Sequence, residues 1–188
     1  MSLAPAQGHG HQQPRRPTAS PVSKAALDRF GAALLLLICG LWLLLIALLL
    51  WLQDDRPVLA RETRVGQWGR CFELLRFRTD DRALGAALRR YNLDELPQLI
   101  NVVKGDMSLV GPRPAPPGDA RAADAHLWLA VKPGLTGPWL SSQAPRTRED
   151  ASIELDRYLR NWSLGSDLAI LLCSVREALR RPTTGRGL

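Results

Sequence analysis

The sequence predicts an α+β fold that is mostly helical, with an N-terminal membrane helix, a short β-hairpin and amphipathic helices at the membrane interface. Three observations predict it. A run without any charged residue extends from Phe30 to Leu52. Two strand-like segments flank the glycine-bearing loop Gly66–Gly69, which favours a hairpin. Further along, apolar residues recur at the spacing of three and four that is typical of α-helices.

Composition divides the chain into four parts. Residues 1–23 are rich in Pro, Gly, Gln and Ser, and we expect a disordered tail because such a segment buries little apolar surface. Residues 24–53 contain the membrane helix, residues 54–181 a cytosolic or interfacial domain, and residues 182–188 a flexible tail. A chain of 188 residues has room for one domain plus such additions.

Charge and cysteine content narrow the partners and the compartment. The net charge is +7 and the pI about 10.1, which suits an anionic partner such as a lipid headgroup surface or a nucleotide. No nucleic-acid-binding motif accompanies the charge, so we expect no nucleic acid partner. Cys39, Cys71 and Cys173 are far apart and odd in number, which predicts no disulfide framework and a reducing side of the membrane.

The apolar run is long enough to cross a bilayer. About 23 residues give about 34 Å of helix, against a hydrocarbon core of ~30 Å. Trp51 lies where the run meets Gln53, as an interfacial aromatic residue should. The flanks on both sides are basic, and the positive-inside rule favours the cytoplasm for both. A re-entrant helix satisfies this rule, and we expect one, with a spanning helix as the alternative.

The remaining elements follow in chain order. We predict strands over Val58–Glu62 and Arg70–Arg78, and short helices over Ala83–Arg90 and Leu93–Val103. Arg148–Arg160 is predicted to be a helix that packs through Ile153, Leu155 and Leu159. Ser166 can cap a last helix, whose apolar positions are Leu168, Leu171, Leu172, Val175 and Leu179. This helix can pack in the core or lie on the membrane surface.

Two adjacent carboxylates lie at the start of the second short helix. Asn92 is a good N-cap and Glu95 follows three residues later, which is a capping-box arrangement. Pro97 is tolerated near a helix start, where backbone amides lack intrahelical partners. Asp94 and Glu95 would then lie in the first turn, at the positive end of the helix dipole. From these residues alone, the acids need do no more than stabilise the helix start.

The wider stretch resembles a known family. Residues 92–114 read NLDELPQLINVVKGDMSLVGPRP, and this is similar to the signature of the bacterial sugar transferases, the monotopic phosphoglycosyl transferases that act on polyprenyl phosphates. A second similar block runs from Pro57 to Thr79, with Arg76 where the family usually has lysine. The resemblance covers roughly Lys24 to Arg180.

The resemblance implies a reaction and a nucleophile. Asp94 would attack the sugar-bearing phosphate of a UDP-sugar and release UMP, and polyprenyl (undecaprenyl) phosphate would then take the phosphosugar from the enzyme. Glu95 would assist, and Asp94 would also hold Mg²⁺, which prefers one or two carboxylates together with phosphates. Chemically, a carboxylate is a known phosphoryl acceptor, and cations are needed to bring it to an anionic diphosphate.

The resemblance also implies residues that bind substrate phosphate. They are Arg76, Arg78, Arg89, Arg113 and, on the last helix, Asp167. Arg113 lies between Pro112 and Pro114, which restrict its backbone and suit a bidentate phosphate contact. Taken singly, each of the other arginines could equally be a solvated charge, and Asp167 could equally be a helix-start acid.

Location and partners follow from the same resemblance. The implied place is the bacterial inner membrane, in contact with its lipids, with the catalytic domain on the cytoplasmic face. The sequence does not decide whether the protein forms a homodimer. The family breaks its re-entrant helix at a Ser-Pro pair, and Cys39-Gly40-Leu41 occupy that place here. Glycine weakens a helix by only about 1 kcal/mol, against about 3 kcal/mol for proline.

The chain departs from the family pattern after Lys132–Gly137. Residues 138–148 replace a loop that is thought to shape the sugar or nucleotide pocket. The identity of the sugar is therefore open. The alternative function is a catalytically inactive relative that keeps the fold and acts as a membrane-bound scaffold or partner.

Overall fold

The structure is a computed structural model that describes residues 21–53, 57–118, 128–140 and 148–180. The helices are α1 (Pro21–Gln53), α2 (Ala83–Arg90), α3 (Gln98–Lys104), α4 (Arg148–Arg160) and α5 (Leu164–Arg180). The strands are β1 (Leu59–Val65), β2 (Cys71–Phe77), β3 (Ser108–Val110) and β4 (Gly134–Thr136). The predicted α+β class is confirmed. Most of the tail predicted over 1–23 and the whole of the tail predicted over 182–188 lie outside the described residues.

The N-terminal helix α1 is 33 residues long and, by length and composition, is able to cross a membrane. It continues through Cys39, Gly40 and Leu41, so the helix break expected there is absent. The physical reason is that one glycine costs a helix only about 1 kcal/mol, whereas a proline would also remove a hydrogen bond. An unbroken helix is what the local sequence favours.

One stripe of α1 packs against the rest of the protein from end to end. Its buried and half-buried members recur every three or four residues: Ala25, Asp28, Ala32, Leu36, Cys39, Leu43, Ile46, Ala47 and Leu50. Near the start of α1, Lys24 forms an ion pair with Asp167 of α5. At its end, Arg82 Nη1 donates to the carbonyl of Gln53 at 2.7 Å. Both ends of α1 therefore contact the domain that follows, while the opposite face exposes leucines and tryptophans.

The predicted hairpin is present and antiparallel. β1 and β2 pair from Leu59↔Phe77 to Val65↔Cys71, and β1 runs three residues beyond its predicted end. A short 3-10 turn, Gln67–Gly69, joins them. Gly69 has a φ of 74°, a conformation that glycine adopts at little cost.

The predicted helix Leu93–Val103 is split in two. A single 3-10 turn covers Leu93–Glu95, and α3 begins at Gln98, directly after Pro97. Asn92 has a φ of 55° and its side chain makes no capping hydrogen bond, so the predicted capping box is wrong. An N-cap needs an extended backbone, whereas Asn92, two residues after the end of α2, has a left-handed backbone, which asparagine tolerates.

Two short parallel strands position the segment that carries Arg113. β3 and β4 pair through Ser108↔Gly134 and Val110↔Thr136. The backbones touch so closely that a Cβ at Gly134 would lie 2.1 Å from the amide nitrogen of Gly111. Only glycine fits such an approach. The Gly-Pro-Arg-Pro and Lys-Pro-Gly-Leu-Thr-Gly segments therefore form one packed unit.

The last two helices carry both packing and exposed apolar residues. In α4, Leu155 is buried and Leu159 packs against the core, but Ile153 is 66% exposed, so its predicted packing role is wrong. α5 begins at Leu164, two residues before the predicted cap. The amide of Ser166 donates to Ser163 Oγ at 3.0 Å, which makes Ser163 the cap. Ile170 and Leu171 pack inward, whereas Leu168, Leu172 and Val175 are exposed.

The main core lies where α3 meets the hairpin, β3 and α1. Leu99, Val102, Met107 and Val110 are almost fully buried there. A second apolar cluster joins Leu50 of α1 to residues of the hairpin and α2. Its other members are Phe77, Leu88, Leu43, Ile46, Ala47, Val58, Leu84 and Leu93. Because Leu93 directly precedes Asp94, this second cluster connects the end of the apolar helix to the carboxylate pair.

Candidate active site

The carboxylate of Asp94 is buried and held by an arginine. The side chain is 5% exposed, and Arg76 Nη2 lies 2.7 Å from its Oδ2. Asp94 belongs to the 3-10 turn before α3, and Arg76 projects from β2. The turn and the hairpin together therefore fix the carboxylate in one orientation.

Arg76 is itself held between two carboxylates. Its Nη1 lies 3.1 Å from Glu62 Oε1, while Arg64 Nη2 lies 2.6 Å from Glu62 Oε2. Burial favours a higher pKa for Glu62, but the hydrogen bond from Arg64 and the charge of Arg76 outweigh it, so the pKa is lowered. Burial likewise works against the charge on Arg76, yet the hydrogen bond to Asp94 and the charge of Asp94 raise its pKa. The network keeps the guanidinium charged and in place.

The pKa of Glu95 is shifted upward, in the direction opposite to that of Glu62. Burial, followed by the negative charge of Asp94, raises the pKa of Glu95 above its usual range. The charges of Arg76 and Arg113 act against this shift but do not remove it. The two neighbouring carboxylates therefore form a site that a cation would stabilise.

Arg113 approaches this pair from the Gly-Pro-Arg-Pro segment. Its guanidinium carbon lies 5.8 Å from the centre of the Trp139 ring, within the range of a cation–π contact. Trp139 Nε1 donates to the carbonyl of Gly111 at 3.2 Å, which ties the ring to the same segment. Arg113 is exposed, so its guanidinium is available to an incoming phosphate.

Arg78 lines a separate cavity of about 580 Å³ at the C-terminal end of α1. The other lining residues are Leu50, Gln53, Pro57, Val58, Thr79, Asp80 and Arg82. A second cavity, of about 260 Å³, lies near the N-terminal end of α1 beside Lys24, Tyr158 and Trp162. Asp94 lines neither of these two cavities.

Arg89 and Asp167 make structural contacts. Arg89 Nη1 donates to the carbonyl of Asp80 at 2.7 Å, and its Nη2 donates to Asp81 Oδ1 at 2.9 Å, so it braces the loop between β2 and α2. Asp167 is buried and accepts from Lys24, from Tyr158 Oη at 2.6 Å and from Trp162 Nε1 at 3.1 Å. Of the predicted residues, the structure thus groups Asp94, Glu95, Arg76 and Arg113, with Arg78 in the cavity beyond.

Two positioning groups escaped the sequence analysis. Asn101 is 1% exposed; its Oδ1 accepts from the amide of Leu75 at 3.0 Å and its Nδ2 donates to the carbonyl of Glu73 at 2.7 Å, which fixes β2 against α3. Glu62 supports Arg76, as described above. The signal for Asn101 was a polar residue within the apolar run Leu99–Val103; for Glu62 there was none, because its partner lies on another strand.

The donor set fits Mg²⁺ in the presence of a phosphate substrate. Within the described part of the chain, no three His, Cys, Asp or Glu residues are grouped so that they could hold a metal ion by themselves. Mg²⁺, however, usually takes one or two carboxylates and completes its shell with water and substrate phosphates. Asp94 and Glu95 supply two carboxylates, and the pKa of Glu95 is raised by burial and, after it, by the negative charge of Asp94, a charge that a cation would offset.

Comparison with known proteins identifies the family. The family model described as bacterial sugar transferase matches residues 19–181. The chain is 33% identical to the undecaprenyl-phosphate galactose phosphotransferase of Salmonella typhimurium, over 77% of this chain and 40% of that protein. It is 37% identical to the UDP-glucose:undecaprenyl-phosphate glucose-1-phosphate transferase of Caulobacter vibrioides, over 83% of this chain and 69% of that protein.

A third relative is covered over most of its length. The exopolysaccharide production protein ExoY of Rhizobium meliloti is 32% identical, over 82% of this chain and 84% of that protein. The chain therefore spans two fifths of the Salmonella relative but most of the Rhizobium one. Since the family model covers nearly all of it, the chain belongs to the bacterial sugar transferase family.

Proposed function

We propose that this protein transfers a sugar phosphate from a UDP-sugar to polyprenyl (undecaprenyl) phosphate, as a first membrane step of glycan or exopolysaccharide assembly. The observation that carries the proposal is the adjacent pair Asp94 and Glu95, with Arg76 2.7 Å from Asp94 and the exposed Arg113 near enough for its charge to act on Glu95. The Salmonella relative is an undecaprenyl-phosphate galactose phosphotransferase and the Caulobacter relative is a UDP-glucose:undecaprenyl-phosphate glucose-1-phosphate transferase, which supports the proposal.

In the first half of the reaction, an Asp94 carboxylate oxygen attacks the sugar-bearing phosphorus of the UDP-sugar. The bond from that phosphorus to the bridging oxygen breaks, and UMP leaves with the electron pair. The sugar phosphate stays on Asp94 as an acyl phosphate. Arg113 binds the diphosphate, because a guanidinium matches phosphate oxygens with two parallel hydrogen bonds.

The Arg76–Asp94 pair has to loosen for this attack. Arg76 Nη2 occupies Oδ2 of Asp94, and an ion-paired carboxylate is a poorer nucleophile than a free one. An incoming phosphate competes with Asp94 for the guanidinium of Arg76. The guanidinium then exchanges its hydrogen bond to the carboxylate for one to the substrate phosphate. Arg76 thereby pairs with the Asp94 carboxylate when no substrate is bound, and it stabilises the phosphate that is transferred during the reaction.

Mg²⁺ is the proposed cofactor, held by Asp94 and Glu95 together with the substrate diphosphate. When bound, it would neutralise phosphate charge and orient the leaving group. Replacing Glu95 by glutamine would remove one of these two carboxylates and should therefore weaken cation binding.

We place the protein on the cytoplasmic face of the inner membrane. The exposed face of α1, together with Leu168, Leu172 and Val175 of α5, offers an apolar surface for lipid. The stripe of α1 that packs on the domain extends along the whole helix, which supports an arrangement in which both ends of α1 lie on the side of the membrane that carries the domain. UDP-sugars are cytoplasmic substrates, in keeping with this orientation.

The test is UMP release by the full chain in lipid nanodiscs, with Mg²⁺ and a panel of UDP-sugars that includes UDP-glucose and UDP-galactose. We expect UMP release to depend on Mg²⁺, and the intact mass to rise by one sugar phosphate. Asp94→Asn should lose both, by at least about 10³-fold in rate, as losses of nucleophiles do. Asp156→Asn, which removes an equally sized charge from the exposed pair with Arg160, is the matched control and should keep full activity.

Two results would contradict the proposal. Activity retained by Asp94→Asn would show that this carboxylate is not the nucleophile. Folded wild-type protein that releases no UMP from any sugar in the panel would favour the inactive relative, a membrane-bound scaffold.

A further inference from the structure

The cavity at the C-terminal end of α1 combines an apolar wall with a basic one. Leu50, Pro57 and Val58 form the apolar side, and Leu50 and Val58 belong to the cluster that joins α1 to the hairpin. Arg78, Arg82 and Thr79 form the polar side. At about 580 Å³, the cavity has the size of an ordinary ligand site. Its chemistry suits an amphiphile with a phosphate head.

Among the described residues that line this cavity, Arg78 is the cation without a side-chain partner. Arg82 Nε lies 3.2 Å from Asp80 Oδ2, which neutralises the acid that also lines the cavity. Arg89, behind the loop, is bonded to the Asp80 carbonyl and to Asp81. By contrast, no hydrogen bond or ion pair of the Arg78 guanidinium is found among the residues that the structure describes. Arg78 is exposed and therefore ready to receive an anion.

The cavity lies close to the proposed nucleophile. Arg76 lies in β2 and Arg78 directly follows its last residue, with the Arg78 amide donating to the carbonyl of Val58 at 2.8 Å. If the extended backbone continues there, the two side chains leave on the same face, about 7 Å apart. Arg76 binds Asp94. The Leu93 side chain, next to Asp94 in sequence, packs in the same cluster as Leu50 and Val58. A phosphate at Arg78 would thus be one side chain away from the Arg76–Asp94 pair.

The cavity also opens where a lipid would arrive. It is lined by Leu50 and Gln53, at the end of the apolar helix, where the exposed face of α1 carries Leu48, Leu49, Trp51 and Leu52. A lipid phosphate lies at the depth of the headgroups, with its chain in the hydrocarbon. A nucleotide, which arrives from water, gains nothing from an apolar wall continuous with a membrane helix.

We propose that this cavity is the acceptor site, in which Arg78 binds the phosphate of a polyprenyl phosphate while the exposed face of α1 guides its chain. The proposal rests on the proposed function and assigns its two substrates to different arginines, Arg113 to the UDP-sugar and Arg78 to the lipid. In the second half of the reaction, a lipid phosphate oxygen attacks the phosphorus of the sugar phosphate on Asp94. The bond from that phosphorus to the carboxylate oxygen breaks, and the carboxylate leaves with the electron pair. The product is a sugar joined to the polyprenyl chain through a diphosphate. When the polyprenyl phosphate is a dianion, it has no proton to lose in this step.

The experiment measures the two halves of the reaction separately, with the full chain in nanodiscs. Adduct formation and one equivalent of UMP are measured without lipid acceptor, and discharge of the adduct is then followed against the concentration of polyprenyl phosphate. We expect Arg78→Gln to form the adduct within about twofold of the wild-type rate. The acceptor concentration for half-maximal discharge should rise about 10- to 100-fold, the size expected for losing a hydrogen bond to a charged group. Arg78→Lys should recover part of the loss.

The control variant is Arg61→Gln, which removes the same charge from the same hairpin. Arg61 is exposed and pairs with Glu73 at 3.2 Å, away from the cavity lining. It should match wild type in both halves. A parallel measurement needs no turnover: native mass spectrometry of the protein with polyprenyl phosphate or with uncharged polyprenol. Wild type should prefer the phosphate, and Arg78→Gln should lose that preference.

Three results would overturn the proposal. Unchanged discharge and unchanged lipid binding in Arg78→Gln would remove the acceptor from this cavity. Slowed adduct formation in Arg78→Gln, with normal discharge, would assign the cavity to the nucleotide sugar. Equal discharge by inorganic phosphate and by polyprenyl phosphate, both weakened by Arg78→Gln, would show a phosphate site without lipid recognition. A wild-type protein that forms no adduct would count against the proposed function, and the lipid-binding comparison would still decide the role of Arg78.

Discussion

At the scale of single residues, the site is organised by opposed charges at short range. Arg76 is shared between Glu62 and Asp94, whereas Glu95 is buried beside Asp94, and burial followed by the charge of Asp94 raises its pKa. One carboxylate is thereby kept in a fixed geometry and the other is left strained. Such strain is common where a protein is shaped for a ligand that is not always bound.

Glu95→Gln should stabilise the protein at neutral pH while impairing cation binding. The pKa of Glu95 is raised above 4.5 in the folded state, so protonation favours folding below pH 4.5, and this contribution is lost as pH rises through the folded pKa. Wild type and Glu95→Gln should therefore unfold at similar temperatures near pH 4, and the variant at the higher temperature at pH 7. Thermal unfolding in detergent across pH 4–8 measures the difference.

Mg²⁺ should reverse that order at pH 7. If Asp94 and Glu95 hold the cation, wild type would gain unfolding temperature by mass action, and Glu95→Gln would gain little. A variant that responds to Mg²⁺ as wild type does would remove Glu95 from the proposed metal site. If the unfolding temperature of wild type fell relative to that of the variant between pH 7 and pH 4, the raised pKa of Glu95 would be contradicted.

Asn101→Ala should be among the more costly single changes. It leaves the amide of Leu75 and the carbonyl of Glu73 without their partners, at about 1–3 kcal/mol for each unmade bond. We expect a loss of about 2–4 kcal/mol in the free energy of unfolding, and weaker activity because β2 carries Arg76. Asn161→Ala, which removes a more exposed hydrogen bond to Arg157, should cost less than about 1 kcal/mol. Equal losses in the two variants would refute the positioning role of Asn101.

At the scale of elements, the sequence predicted the helices and strands that depend on local residue patterns. The helices Ala83–Arg90 and Arg148–Arg160 and the two hairpin strands are present where charge, glycine and apolar spacing indicated them. The errors arose where residues suited to a helix start also suited a turn, or where two residues could each cap the same helix. Asn92 and Glu95 have the spacing of a capping box, yet Asn92 has a left-handed backbone, whereas an N-cap residue has an extended one. Ser163 was missed as the cap of α5 because Ser166 offered the same side chain one turn later.

The site itself was predictable only in part. Asp94, Glu95 and Arg113 share one continuous motif, so they could be found together from the sequence. Arg76 and Arg78 could be proposed only as members of a set of arginines, because the contact of Arg76 with Asp94 and the cavity at Arg78 depend on how the hairpin packs. The support from Glu62 arises from cross-strand pairing, which leaves no mark in a single sequence.

The glycines of the β3–β4 unit should tolerate no side chain. In Gly134→Ala, the new Cβ would lie 2.1 Å from the backbone nitrogen of Gly111, so the two strands must move apart and Arg113 with them. We expect a loss of about 2–4 kcal/mol, at the upper end of overpacking effects. Gly40→Ala is the matched control, since a Cβ there meets nothing within 4 Å; it should be neutral or stabilise α1 by up to about 1 kcal/mol. Thermal unfolding of both variants checks the contrast, which fails if Gly134→Ala unfolds like wild type.

At the scale of the whole molecule, α1 is both membrane anchor and structural wall. Its packed stripe runs from the ion pair of Lys24 with Asp167 to the contact of Gln53 with Arg82. A helix that stood across the bilayer with the domain on one side would leave one of these ends in the opposite aqueous phase. The contacts at the two ends therefore favour a helix whose ends both remain on the side of the domain, even though no break interrupts it.

Labelling of single cysteines can test this arrangement in intact cells. With the native cysteines replaced, Val22→Cys and Gln53→Cys place one thiol at each end of α1, both at exposed positions. Arg61→Cys, on the exposed hairpin, reports the side of the domain. We expect all three to resist a membrane-impermeant maleimide added outside the inner membrane and to react after permeabilisation, because the two ends of α1 contact one domain. Labelling of Val22→Cys from outside, with Arg61→Cys protected, would mean that α1 spans the membrane and that its N-terminal contact with Asp167 does not form in the cell.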